Sequence, residues 1–153
     1  MFNLNKKIVM KKFLMMAALM VATLTVSAQD YNWAVGVRGG GFSGITAKKN
    51  LDKNALEFGA SFGVGNYLMV DGVYEWQEPV IAEGFHLYYG GGAYVGLAGN
   101  AFWLGAEAVV GLEYRIPINV PLAVSLDYRP GLNIIPGLGF NAFNFGFGIK
   151  YCF

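Results

Sequence analysis

From Phe102 to Ile116 the chain alternates without a break. Phe102, Leu104, Ala106, Ala108, Val110, Leu112, Tyr114 and Ile116 hold the even positions; Trp103, Gly105, Glu107, Val109, Gly111, Glu113 and Arg115 hold the odd ones. A period of two over such a length predicts a strand with two unlike faces. A helix would scatter Glu107 and Glu113 over different faces and carry two interior glycines, each costing about 1 kcal/mol. The pattern returns from Val120 to Tyr128 and from Phe143 to Phe153, and less cleanly in the earlier stretches. It predicts eight strands, near 32–40, 44–51, 55–64, 67–77, 84–98, 102–116, 120–131 and 140–153, the second being the weakest. Turn-forming residues separate them, at Gly41-Phe42-Ser43, Asp52-Lys53-Asn54, Gly65-Asn66, Glu78 to Glu83, Gly99-Asn100, Pro117-Ile118-Asn119 and Asn133 to Gly139. No linker or second domain interrupts them.

The two faces differ in size as well as polarity. One is bulky and apolar. The other is Gly, Ala and Ser with scattered charges. A soluble β-sandwich would turn its second face to water and load it with Lys, Glu and Thr; small residues suit a cramped interior better. By parity the inward charges are Arg38, Lys48, Arg115, Arg129 and Lys150 against Glu57, Asp71, Glu75, Glu107, Glu113 and Asp127. Asp30, Lys49, Asp52, Lys53, Glu78 and Glu83 fall at the terminus, in turns or beside them. No charge lies in the middle of the apolar face. Trp33, Trp76, Phe85, Tyr114, Tyr151 and Phe153 fall at strand ends that an up-and-down order puts on one rim, an aromatic girdle of the kind found where a barrel meets the membrane interface. If Ile116 pairs with Val120 across a tight turn, Glu107 faces Arg129 and the two form an ion pair.

The first segment reads differently. Lys6, Lys7, Lys11 and Lys12 precede an apolar run from Phe13 to Ala22, and Val26-Ser27-Ala28 is a small-residue cleavage site before Gln29. This is the pattern of a secretory signal, with cleavage between Ala28 and Gln29. The run is short for a spanning helix, which needs about 20 apolar residues, and no Cys near the site marks a lipoprotein. The organisation expected is a signal peptide over 1–28 and a barrel over 29–153.

Composition narrows the function. Of the 153 residues 55% are hydrophobic and 14% charged, and mean hydropathy is +0.41. An ordinary soluble domain carries about 25% charged residues. Four of the eleven Lys and Arg lie in the signal, leaving seven basic against ten acidic residues, a net of −3 that argues against nucleic acid. The lone Cys152 excludes an internal disulfide and a Cys-cluster metal site.

A Sec-type signal, eight amphipathic strands and a last strand ending Ile149-Lys150-Tyr151-Cys152-Phe153 resemble the small outer-membrane β-barrels of the OmpA/OmpX type. The resemblance covers the whole chain after the signal. It implies an all-β, transmembrane, up-and-down antiparallel barrel of eight strands, a monomer in outer-membrane lipid. It further implies that Tyr151 and Phe153 carry the signal read by the barrel assembly machinery. The outer loops expected here (41–43, 65–66, 99–101, 132–139) are short where family members often have long ones, which argues against an adhesin or receptor role.

Two catalytic patterns fail on context. Gly59-Ala60-Ser61-Phe62-Gly63 matches the nucleophile elbow, yet lies inside a strand with no helix after it. His86, the single His, sits too far along its strand to reach Ser61. Gly137-Leu138-Gly139-Phe140-Asn141-Ala142 matches a dinucleotide fingerprint but lacks the strand before it and the helix after it. The expected protein is a non-catalytic, envelope-stabilising barrel without cofactor or metal, its lumen filled by side chains. The rival readings are a narrow channel or small-ligand binder, and an outer-membrane lipid hydrolase.

Overall fold

The computed structural model describes residues 31–63, 65–79, 82–117 and 119–153. The expected cleavage site at Ala28 and Gln29 lies outside them. Ten strand segments follow in chain order: β1 (Trp33–Gly40), β2 (Gly44–Leu51), β3 (Asn54–Gly63), β4 (Tyr67–Pro79), β5 (Phe85–Ala98), β6 (Ala101–Arg115), β7 (Leu122–Tyr128), β8 (Gly131–Ile135), β9 (Gly139–Asn141) and β10 (Phe145–Cys152). They form eight antiparallel staves, because β7 with β8 makes one stave and β9 with β10 another. Each stave pairs with its neighbour in sequence, and β10 pairs with β1 to close the barrel. The fold is therefore all-β, closed and up-and-down.

Closure comes with stagger. The paired row through Arg38 runs on to Gly148, Ser125, Glu113, His86 and Pro79. It starts near one end of β1 and leaves at the other end of β4. Tilted strands, at about 35–45° to the axis, require such a shift. The ends of the barrel differ in kind. The terminal rim carries Trp33, Phe153 and residues 52–53, 82–84, 116–117 and 119–121. The far rim carries 41–43, 65–66, 99–100 and 136–138.

Alternation decides which way each side chain points. Large apolar residues cover the outside: Leu126 is 61% exposed, and Val37, Phe58, Phe62, Val70, Val110 and Phe147 are exposed with it. The interior is polar. Among the described residues its buried apolar side chains gather in two small clusters, Tyr31 with Ala34, Ala123 and Cys152, and Val73 with Tyr88 and Val109, with Ala55, Met69 and Tyr94 buried outside them. Inward glycines make room for large partners on the next strand. Gly96 faces Trp103, Gly105 faces Tyr94 and Gly111 faces Tyr88. A Cβ on Gly111 would stand 2.4 Å from the Tyr88 ring.

Two sequence expectations need correction. The predicted turn at 117–119 is longer: the ladder of β6 with β7 ends at Arg115 opposite Ala123, followed by one bond from Ile116 N to Leu122 O. Pro117 and Pro121 have no N–H to extend it. The register thus slides by two residues, and Glu107 faces Gly131 instead of Arg129. The second correction is the expected loop at 132–139, which is mostly strand. Pro130 interrupts the seventh stave at 129–130, yet its carbonyl still accepts from Ala108 N. The chain then continues as β8, bulges opposite Leu104 and Gly105, and turns at 136–138 into β9.

Candidate functional site

All the inward charges but Glu107 form one connected network. Arg38 grips Asp127 through Nε at 3.1 Å and Nη2 at 2.6 Å, and donates to the Phe42 carbonyl at 2.9 Å. Arg129 bonds Glu57 and reaches Asp127 at 3.3 Å and Asp71 at 3.4 Å. Lys150 joins Glu57 at 2.5 Å and Glu113 at 3.7 Å. Lys48 lies between Glu75 at 2.8 Å and Glu113 at 3.1 Å, with its ammonium 4.6 Å from the Tyr88 ring centroid. Arg115 holds Glu113 at 2.9 Å and Gln77 at 2.7 Å. All of these charged groups are buried. Strand alternation delivers them inward; the stagger brings groups from distant strands to one level.

Tyr31, ahead of β1, folds under the network. Its hydroxyl donates to Glu113 at 2.8 Å, and the Arg115 guanidinium lies 4.6 Å from its ring centroid. Burial raises this phenol well above its ordinary pKa, partly offset by the nearby Lys48 ammonium, so Tyr31 is a neutral donor that caps the terminal end. Nothing in the alternation points to it, because Tyr31 precedes the alternating pattern.

Glu107 stands apart. Every other inward carboxylate has a Lys or Arg within 4.0 Å, but among the described residues Glu107 has none, and its Oε1 lacks a hydrogen-bond partner. It borders a cavity of about 280 Å³ below the far rim, with Phe42, Met69, Tyr94, Trp103, Arg129, Asn133, Asn141 and Asn144 on the walls. The interior is therefore filled unevenly. Tyr94 lies over Gly105 and Gly131 and is held there, as one wall of the cavity, by its bond to Asn133 Oδ1 at 2.5 Å.

The aromatic side chains named from the sequence sit on the outside of the terminal rim. Trp33, Trp76 and Phe153 are exposed; Phe85, Tyr114 and Tyr151 are half-buried. They meet in pairs, Phe85 with Tyr114 at 4.5 Å and Tyr151 with Phe153 at 6.2 Å between ring centroids. Phe153 also closes the seam, its N–H donating to Trp33 O and its carbonyl accepting from Asn32 and Trp33. Ser61 and His86 are not brought together. Ser61 pairs with Met69, which pairs with Gly96 on the far half of β5, whereas His86 pairs with Glu113 near the terminal rim. His86 Nδ1 lies 3.3 Å from Gly84 O. No group of three metal-ligating side chains occurs among the described residues.

Neither family models, curated proteins nor solved structures contain a match to this chain.

Proposed function

We propose that this protein is a small membrane-embedded β-barrel of the OmpA/OmpX type, resident in the outer membrane of a two-membrane envelope, where it acts structurally and catalyses no reaction. The carrying observation is the inversion of polarity: a buried ion network inside and an apolar belt outside. A soluble barrel of this kind would present large contiguous apolar patches to water, which monomeric soluble proteins avoid. Lipid removes that cost and accounts for the absence of charge from the middle of the belt. The residues supporting the assembly reading are Tyr151 and Phe153, placed at the seam where the barrel closes. The network obstructs the terminal part of the interior, which favours a sealed barrel over a channel.

Cell fractionation tests the reading. The folded protein is expected in the outer-membrane fraction, resistant to carbonate extraction, and migrating faster on a gel unheated than boiled. Recovery from the soluble periplasm would refute it.

A further inference from the structure

The interior charge inventory does not balance. Five cations face six carboxylates, and the ion pairs assign the surplus to one residue, Glu107. It is 7% exposed, and its Oε1 is a buried acceptor without a donor. An unpaired buried carboxylate is costly unless something meets it. Glu107 borders the cavity below the far rim, and so do the aromatic side chains of Phe42, Tyr94 and Trp103. A carboxylate beside aromatic groups suits an organic ammonium ion, which gains from the charge and from the ring faces together.

Arg129, on the same wall, commits its Nη atoms to Glu57, Asp71 and Asp127, so it does not neutralise Glu107. The volume, about 280 Å³, admits a molecule of one ring with a short arm. Among the described residues, the far-rim turns 41–43, 65–66, 99–100 and 136–138 contain no charge, so no side chain there competes for the cation.

We propose that the cavity binds a small organic ammonium ion, its charge on Glu107 and its body against Trp103 and Tyr94. This goes beyond the structural role above and needs only the barrel.

The test is titration calorimetry on the folded barrel in detergent micelles. The probes are tyramine and its neutral isostere 4-(2-hydroxyethyl)phenol, which replaces the ammonium by a hydroxyl. Tyramine is expected to bind at least about tenfold more tightly than the alcohol. Glu107→Gln, nearly isosteric, should erase the difference; heat-modifiable migration confirms that the variant is folded. Trp103→Leu should weaken tyramine by about threefold or more while keeping its preference over the alcohol, and it serves as the test should Glu107→Gln fail to fold. Absence of tyramine binding overturns the proposal, as does equal affinity for the two probes, which would mark a site for neutral hydroxylated molecules. Tyramine binding that neither variant weakens places the ligand elsewhere and overturns it too.

Discussion

Tyr88 is fully buried among charges, its hydroxyl donating to Asp127 at 3.2 Å and its ring lying against the Cα of Gly111. That contact predicts the cost of one methyl group. Gly111→Ala should lower stability by about 1–3 kcal/mol, the usual cost of overpacking, read as a lower urea midpoint in lipid vesicles. An unchanged midpoint would mean the ring can move without loss. Outside the barrel the rule is opposite, because volume is free and charge is not. Leu126→Arg should cost about 2–4 kcal/mol near the bilayer midplane. Its neighbour Ser125 is buried against Gly148, so Ser125→Arg should fail by crowding. A harmless Leu126→Arg would place the outer face in water. The Arg38–Asp127 pair supplies a third test. Losing Asp127 leaves Arg38 buried without a carboxylate, at about 3–5 kcal/mol, whereas losing Arg38 leaves Asp127 with Arg129, so Arg38→Met with Asp127→Leu together should cost less than the two singles added. Additive costs in a double-mutant cycle would show that the two charges do not depend on each other.

At the scale of strands, parity was legible and register was not. Two-residue periodicity assigns a face to each residue regardless of what lies opposite, so Arg38, Glu57 and Lys150 could be turned inward without knowing any neighbour. Register depends on where a ladder stops, and between β6 and β7 that depends on two prolines whose missing donors outweigh the tight turn suggested by Asn119. The stretch 132–139 departs from the expected loop for a related reason. Asn133, Pro136, Gly137 and Gly139 give it the composition of a loop, while the ladder to β6 and the pairing of Leu132 with Phe140 hold most of it as a hairpin. The cavity could not be read at all, since an empty space is set by the distances between strands and not by any one residue. The closing seam makes its own prediction. Deleting Tyr151 to Phe153 removes the bonds from Cys152 N to Pro121 O and between Phe153 and Trp33. Export should continue while the heat-modifiable band disappears; normal folding of the shortened chain would detach the assembly signal from these residues.

For the molecule as a whole, the plugged terminal end predicts electrical silence. Reconstituted in planar bilayers, the barrel should show no unitary current steps, and Ser61→Ala or His86→Ala should alter no hydrolytic rate on esters or lipid acyl chains, because none is expected. Steady single-channel currents would instead require a water path through Tyr31, Glu113 and Lys48. The two rims have a further consequence, for how such a barrel enters a membrane. All five exposed charges of the described chain, Lys49, Asp52, Lys53, Glu78 and Glu83, belong to the terminal rim, and the far rim has none. A rim without charge can be pushed through hydrocarbon; a rim with five resists being dragged after it. If the barrel inserts into a membrane as proposed, translocation should be polarised like a nail with a point and a head: the four uncharged turns lead, and the chain ends stay on the side from which they came. Replacing Gly99-Asn100 by Lys-Asp would blunt the point, and insertion into preformed vesicles should slow while the equilibrium stability of the inserted barrel stays nearly constant.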